Sequence, residues 1–287
     1  MNSTFWTNTV WYILLGISAL IQLVFAIAKT KRRRLTFAIY LTTVGITLYF
    51  ETVILIFFGA YAYYPMIIHS HSDPFNDILA GNLFSQFSVS TTALLVITLN
   101  LKYYWYFITG GIYGIIEELF IALGIYSHNW YRTWMTVIGL PILIWLVKKM
   151  YSKILQGIKP ITYYVYIYLG LFTLYVVTLL WGLDVAGFMR FTNTLFNNPK
   201  FSRYGLYLIY YSLSSIFMML IYFLKFKFRL KFLLIFILYA IYYTSYKLNL
   251  IWFKEGYFLP VSTITILWLY LSIFILDRLY GGPQKKV

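Results

Sequence analysis

Glu117 and Glu118 are adjacent carboxylates inside a run apolar enough to cross a bilayer. An ionisable group there costs about 2.5–3.5 kcal/mol on insertion scales, so it usually faces the bundle and has a partner. The pair lies roughly 12–14 Å below the outer end of its span at 1.5 Å per residue. Neighbouring helical side chains diverge widely, so at least one of the two faces other helices. Paired carboxylates split their proton affinities and suit general acid–base work or a cation. The competing role is structural, with one glutamate neutral and hydrogen-bonded. Gly110, Gly111 and Gly114 lie one or two turns below, and the Gly110–Gly114 spacing is a small-xxx-small pattern that lets helices approach closely.

The preceding span carries Asn82, Gln86 and Ser90 on one helix face, with Gln86 at the depth of Glu117. Amides can bond a carboxylate across helices without adding charge, or simply join helices at about 0.6 kcal/mol per bond. The second span repeats the spacing with Thr43, Thr47 and Glu51, placing an acid near mid-membrane. The outer loops add His69, His71, Asp73 and Asp77 before the third span and His128, Trp130 and Arg132 after the fourth, with Asp184 at the outer end of the sixth. Arg132 suits a carboxylate or phosphate, or rides at the headgroups. His69-Ser70-His71-Ser72-Asp73 has metal-ligand residue types but no recognised ligand spacing, so no metal or other cofactor is expected.

The elements that must position these groups are membrane spans. Apolar residues are 61% of the 287 and charged residues 11%, against about 25% charged in soluble domains. Apolar runs predict an all-α, polytopic bundle of nine spans near 10–28, 36–62, 78–99, 103–126, 131–147, 161–182, 204–224, 230–251 and 258–277 in a single transmembrane domain. Pro141 is expected to kink the fifth. Without strand alternation a barrel is excluded. Most of the 23 Lys and Arg crowd every second loop, beginning with Lys29 to Arg34. That bias places the N-terminus outside and the C-terminus in the cytoplasm. The net charge of +15 is therefore assigned to anionic inner-leaflet headgroups and not to nucleic acid. The first nine residues lack the basic region of a cleavable signal peptide. There is no cysteine, which removes disulfides and thiolate chemistry.

Two regions predict finer structure. Residues 184–196 have apolar positions near helical spacing, which predicts a short helix lying on the outer surface, in competition with an irregular loop. Tyr (30) and Phe (25) are abundant; interfacial belts and compositional drift are preferred over a stacked aromatic cage. No internal repeat is evident, and the last three spans read as scaffold.

The stretch 73–136 resembles a family of small uncharacterised multi-pass membrane proteins from Gram-positive spore-forming bacteria. The resemblance rests on Asp77-Ile78-Leu79-Ala80, Ser85-Gln86, Glu117-Glu118-Leu119-Phe120 and Gly124-Ile125-Tyr126-Ser127-His128-Asn129-Trp130 with Thr133 and Thr136. It implies a bacterial plasma membrane and no particular activity.

Three functions follow. The first is a cavity open to the outside, floored by Glu51 and walled by Glu117, Glu118, Asn82 and Gln86, that binds or transports a small polar or cationic solute. The second is an intramembrane enzyme on a lipid or isoprenoid headgroup, using Glu117 or Glu118 with His128. The third is a ligand sensor or assembly subunit with a protein partner. Binding or transport ranks above catalysis because no Ser–His, zinc-ligand or acidic diphosphate motif is present.

Overall fold

The computed structural model describes residues 4–68, 75–192, 194–224 and 227–282. Among them are nine α-helices: α1 (Val10–Lys29), α2 (Arg33–Glu51), α3 (Phe75–Thr98), α4 (Tyr104–Ala122), α5 (Thr133–Leu155), α6 (Pro160–Tyr175), α7 (Pro199–Phe223), α8 (Phe228–Lys247) and α9 (Phe258–Tyr280). Eight are long and apolar enough to cross a bilayer, several with π-helical extensions, which is the architecture of a multi-pass membrane protein. The ninth, α4, has 19 residues. Its two glutamates and its early tyrosines lower its mean hydropathy.

The chain divides into two compact units. The first holds α1–α5 and the second α6–α9. In each unit one helix runs on into a π-helical turn, Thr52–Phe57 after α2 and Val176–Asp184 after α6. Each π turn leads to a three-residue strand, β1 (Tyr61–Tyr63) or β3 (Met189–Phe191). These pair antiparallel with β2 (Tyr126–His128) and β4 (Ile251–Phe253) respectively. The spans expected to reach residues 62 and 126 therefore stop at Phe57 and Ala122, because strand pairing claims the residues beyond. Among the described residues of 184–196 the expected surface helix is absent too. Asp184 ends a π turn, and Met189–Phe191 bond to β4. The fifth helix is longer than expected and continues through Lys148, Lys149 and Lys153. Lys149 lies over the Trp145 ring at 4.9 Å, so its charge stays at the edge of the bundle while its stem covers apolar surface.

The two units are copies of one frame. Leu123 N–H donates to Leu119 O, Gly124 to Ile121 O and Ile125 to Phe120 O. At a constant offset of 125 residues, Leu248 donates to Thr244 O, Asn249 to Tyr246 O and Leu250 to Ser245 O. Tyr64 N–H donates to Ile125 O, as Thr192 does to Leu250 O; Asn129 donates to Ala60 O, as Lys254 does to Phe188 O. Helices α5 and α9 both have 23 residues and start at the same offset. The order helix, π turn, strand, helix, helix, strand, helix thus occurs twice, with α1 added in front. The sequence hides it because the copies share conformation more than residues. Gly124 and Asn249, for example, both close a helix with positive φ, 70° and 56°, and both residue types tolerate that region.

The Gly110–Gly114 stripe faces α5. A Cβ built on Gly110 would sit 2.5 Å from the Val137 carbonyl oxygen and 3.2 Å from the Pro141 ring. Backbone cannot yield as a side chain does, so Gly110→Val is expected to part α4 from α5. A loss of at least the roughly 1–3 kcal/mol typical of overpacking should appear as a lowered thermal unfolding midpoint in detergent.

Candidate functional site

The first unit encloses a cavity of about 300 Å³ at the end away from the Lys29–Arg34 loop. This is within the size range of small-molecule sites. All five helices of the unit contribute, together with both strands and Tyr131. Two carboxylates line it, Glu51 and Glu117, and no Lys or Arg does.

Each carboxylate is held by its own neighbours. Glu51, at the end of α2, is buried at 5% exposure and accepts a hydrogen bond from the Tyr61 hydroxyl on β1. The Gln86 amide is its second hydrogen-bonding neighbour, and Glu117 is near enough for the two charges to interact. Gln86 also donates to Asn82 Oδ1 at 3.3 Å, so Asn82 supports the amide without lining the cavity. Glu117 Oε1 lies 2.6 Å from His128 Nε2 on β2. Its other oxygen accepts from the Thr136 hydroxyl on α5, which is 3.1 Å from the Tyr131 hydroxyl. One turn deeper, Thr47 meets Ser90 at 3.2 Å across α2 and α3. Tyr113, another lining residue, bonds Ser88 and Thr92 at 2.6 and 2.8 Å.

The two acids that look paired in sequence separate here. Glu118 is exposed and accepts from Thr133, outside the cavity lining. Asp77 and Arg132 act on loops. Asp77 accepts from the backbone N–H groups of Met66, Ile67 and Ile68 at 2.8–2.9 Å. Arg132 Nη1 donates to the Asn129 and Tyr131 carbonyls at 3.0 and 2.7 Å. His69, His71 and Asp73 lie outside the described residues, and among the described residues no cluster of His, Asp and Glu could hold a metal.

An aromatic wall surrounds the acids, where residue types alone favour interfacial belts. Tyr12, Tyr61, Tyr63, Phe120, Tyr126 and Tyr131 line the cavity, with Tyr61 ring centroids 5.0–5.5 Å from those of Tyr63, Tyr126 and Tyr131. The strands explain this arrangement. Tyr61 and Tyr63 alternate with Ala62, so strand geometry turns both rings to the same side. Antiparallel pairing sets Tyr63 opposite Tyr126 and Tyr61 opposite His128. Burial pushes the Tyr131 phenol up to about 12 and raises those of Tyr61, Tyr63 and Tyr126 too. All four therefore stay neutral at physiological pH.

No family model matches the chain, and comparison with curated proteins and with solved structures finds no match. The second unit is accordingly its nearest internal reference. At the constant offset, Asn82, Gln86, Glu117 and His128 answer to Tyr207, Tyr211, Tyr242 and Phe253. The two π turns end at Phe57 and Asp184, and that alignment matches Glu51 with Thr178. There Tyr175, Tyr207, Tyr211 and Tyr242 are buried and their rings fill the frame. The fold thus forms without acids at these positions. Carboxylates in the first unit are not a requirement of the architecture.

The cavity also reaches the side of the bundle. Phe50 on α2 and Ile142 on α5 both line it, yet are 57% and 56% exposed on the surface that would face lipid. A gap between α2 and α5 follows, bordered by apolar side chains.

Proposed function

We propose that the first unit binds a hydrophobic molecule bearing a cationic group, with the cation against Glu51 and Glu117 and the apolar body toward Phe50 and Ile142. The observation that supports this most is a buried carboxylate, Glu51, and a part-buried one, Glu117, in an aromatic-walled cavity without a lining Lys or Arg. Buried charge needs a counter-charge. A ligand cation would supply it, and tyrosine faces favour cations by about 0.5–2 kcal/mol each when desolvated. The apolar gap between α2 and α5 favours a molecule that partitions into the bilayer over a freely soluble one. In this reading the strand-bearing ends of the helices face outward and the basic loops face the cytoplasm, as the loop charges suggest, in a bacterial plasma membrane.

Native mass spectrometry of protein extracted with its own lipids tests this. Wild type is expected to carry an amine-containing hydrophobic molecule that the Glu51→Gln, Glu117→Gln double variant lacks. Identical adducts in both would remove the acids from the binding site.

A second reading, proton transfer on the same molecule, is favoured by one arrangement. Two separate carboxyl systems, Glu117 with His128 and Thr136, and Glu51 with Tyr61, face a single cavity. Such placement suits a general acid and a general base. Conversion of the co-purified molecule by wild type but not by Glu117→Gln protein would separate catalysis from binding alone.

A further inference from the structure

The second unit spends its charge differently. At its β3–β4 end stand Arg190, Lys200, Arg203, Lys247 and Lys254, against the acids Asp184 and Glu255. The corresponding end of the first unit carries Glu51, Asp77, Glu117 and Glu118 against Arg132. One frame has opposite charge balance in its two copies. Within the second, Asp184 is fully buried and serves two guanidiniums. Arg203, 5% exposed, binds it through Nε at 3.2 Å and through a shorter bond from Nη2. Arg190 reaches the same carboxylate only through Nε, at 3.4 Å, and its side chain is 36% exposed. One negative charge is therefore shared by two positive ones, and Arg203 holds most of it.

We infer that Arg190, oriented by Asp184 beside Arg203, is the recognition group of an anion site of the phosphate type at the β3–β4 end of the second unit. Anchoring a guanidinium through Nε leaves its two terminal nitrogens as a fork, the geometry that matches two oxygens of a phosphate. The Tyr207 hydroxyl adds a second, independent observation. It is buried, lies within electrostatic reach of Asp184 and Arg203, and makes no hydrogen bond. A buried hydroxyl without a partner lacks an acceptor. The cross-strand partner of Arg190, Trp252, is exposed, and Lys254 beyond it sits 5.5 Å from the Phe188 ring centroid. Aromatic and basic side chains thus frame the mouth as they do at a headgroup level. The frame itself does not demand this cluster. The positions that answer to Asp184, Arg190 and Arg203 in the first unit are Phe57, Ala62 and Ile78.

The phosphate could belong to a phospholipid or be free in solution. The test is carried out on the full chain, wild type beside Arg190→Gln. Retention of phosphatidic acid relative to phosphatidylcholine is read by native mass spectrometry after mixed-lipid nanodiscs. Protection from thermal unfolding is read with inorganic phosphate against chloride at equal ionic strength. Wild type is expected to prefer phosphatidic acid, or to be protected by phosphate, and Arg190→Gln to lose about tenfold of that effect. A lipid effect alone assigns the headgroup, and a phosphate effect alone assigns the free ion. No preference and no protection in wild type overturns the inference, as does an Arg190→Gln protein that behaves like wild type. Should that variant lose its helical circular dichroism, Arg190→Lys takes its place. It keeps the charge without the fork and is expected to lose at least about threefold; unchanged binding would overturn the site.

Discussion

Glu117→Gln is expected to weaken binding of a lipophilic amine by about 10- to 100-fold, the range spanned by a charge-assisted hydrogen bond of roughly 1.5–3 kcal/mol. The substitution keeps shape and the ability to accept from Thr136, but removes the charge facing the cavity and the carboxylate beside His128. A neutral compound of the same shape should change less than about threefold, because its contacts are with Phe50, Ile142 and the tyrosine rings. Equilibrium binding of the two compounds to both proteins checks this. Glu118→Gln is the internal control. Glu118 is exposed and bonded to Thr133 outside the lining, so its loss should leave amine affinity within about twofold, as for any surface change remote from the site.

Asp184→Ala should produce the largest loss of stability, about 3–5 kcal/mol. Asp184 has no exposed surface, and Arg203, which pairs with it, is 5% exposed. Removing the carboxylate leaves a buried guanidinium without its counter-charge, whereas replacing both members by apolar residues would not. Asp184→Ala with Arg203→Met is therefore expected to recover at least half of the loss. Unfolding in detergent, followed by circular dichroism, reads both variants. Equal stability of the single variant and wild type would mean that water reaches Arg203.

The membrane architecture is legible in the sequence because apolar runs of about 20 residues match the thickness of a bilayer and exceed what a soluble core helix needs. The polar residues are legible for a related reason: an acid or amide in such a run stands out, and Glu51, Gln86 and Glu117 share one cavity. What the sequence does not display is which of two neighbours turns inward. Glu117 and Glu118 look equivalent until α5 is placed beside α4 and supplies Thr136 to one and Thr133 to the other. Asp77 and Arg132 have the residue types of a binding site and are spent on loop backbone. The strands are hidden because three residues give almost no periodic signal and their partners lie about 65 residues away. With the strands goes the aromatic wall, although Tyr61-Ala62-Tyr63 and Tyr126-Ser127-His128 alternate as strands do. The repeat is hidden because each copy fills the frame with different chemistry, acids and amides in one and tyrosines in the other.

Photoaffinity labelling tests the central claim most directly. A lipophilic tertiary amine bearing a diazirine is irradiated with the protein in its native membrane, beside the isosteric carbon analogue, and the labelled peptides are sequenced. Labels from the amine should fall on the cavity walls, around Phe50, Phe120 and Ile142, and disappear from the Glu51→Gln, Glu117→Gln protein. Labels elsewhere in the chain, or equal labelling by the uncharged analogue, would contradict a cation site in the first unit.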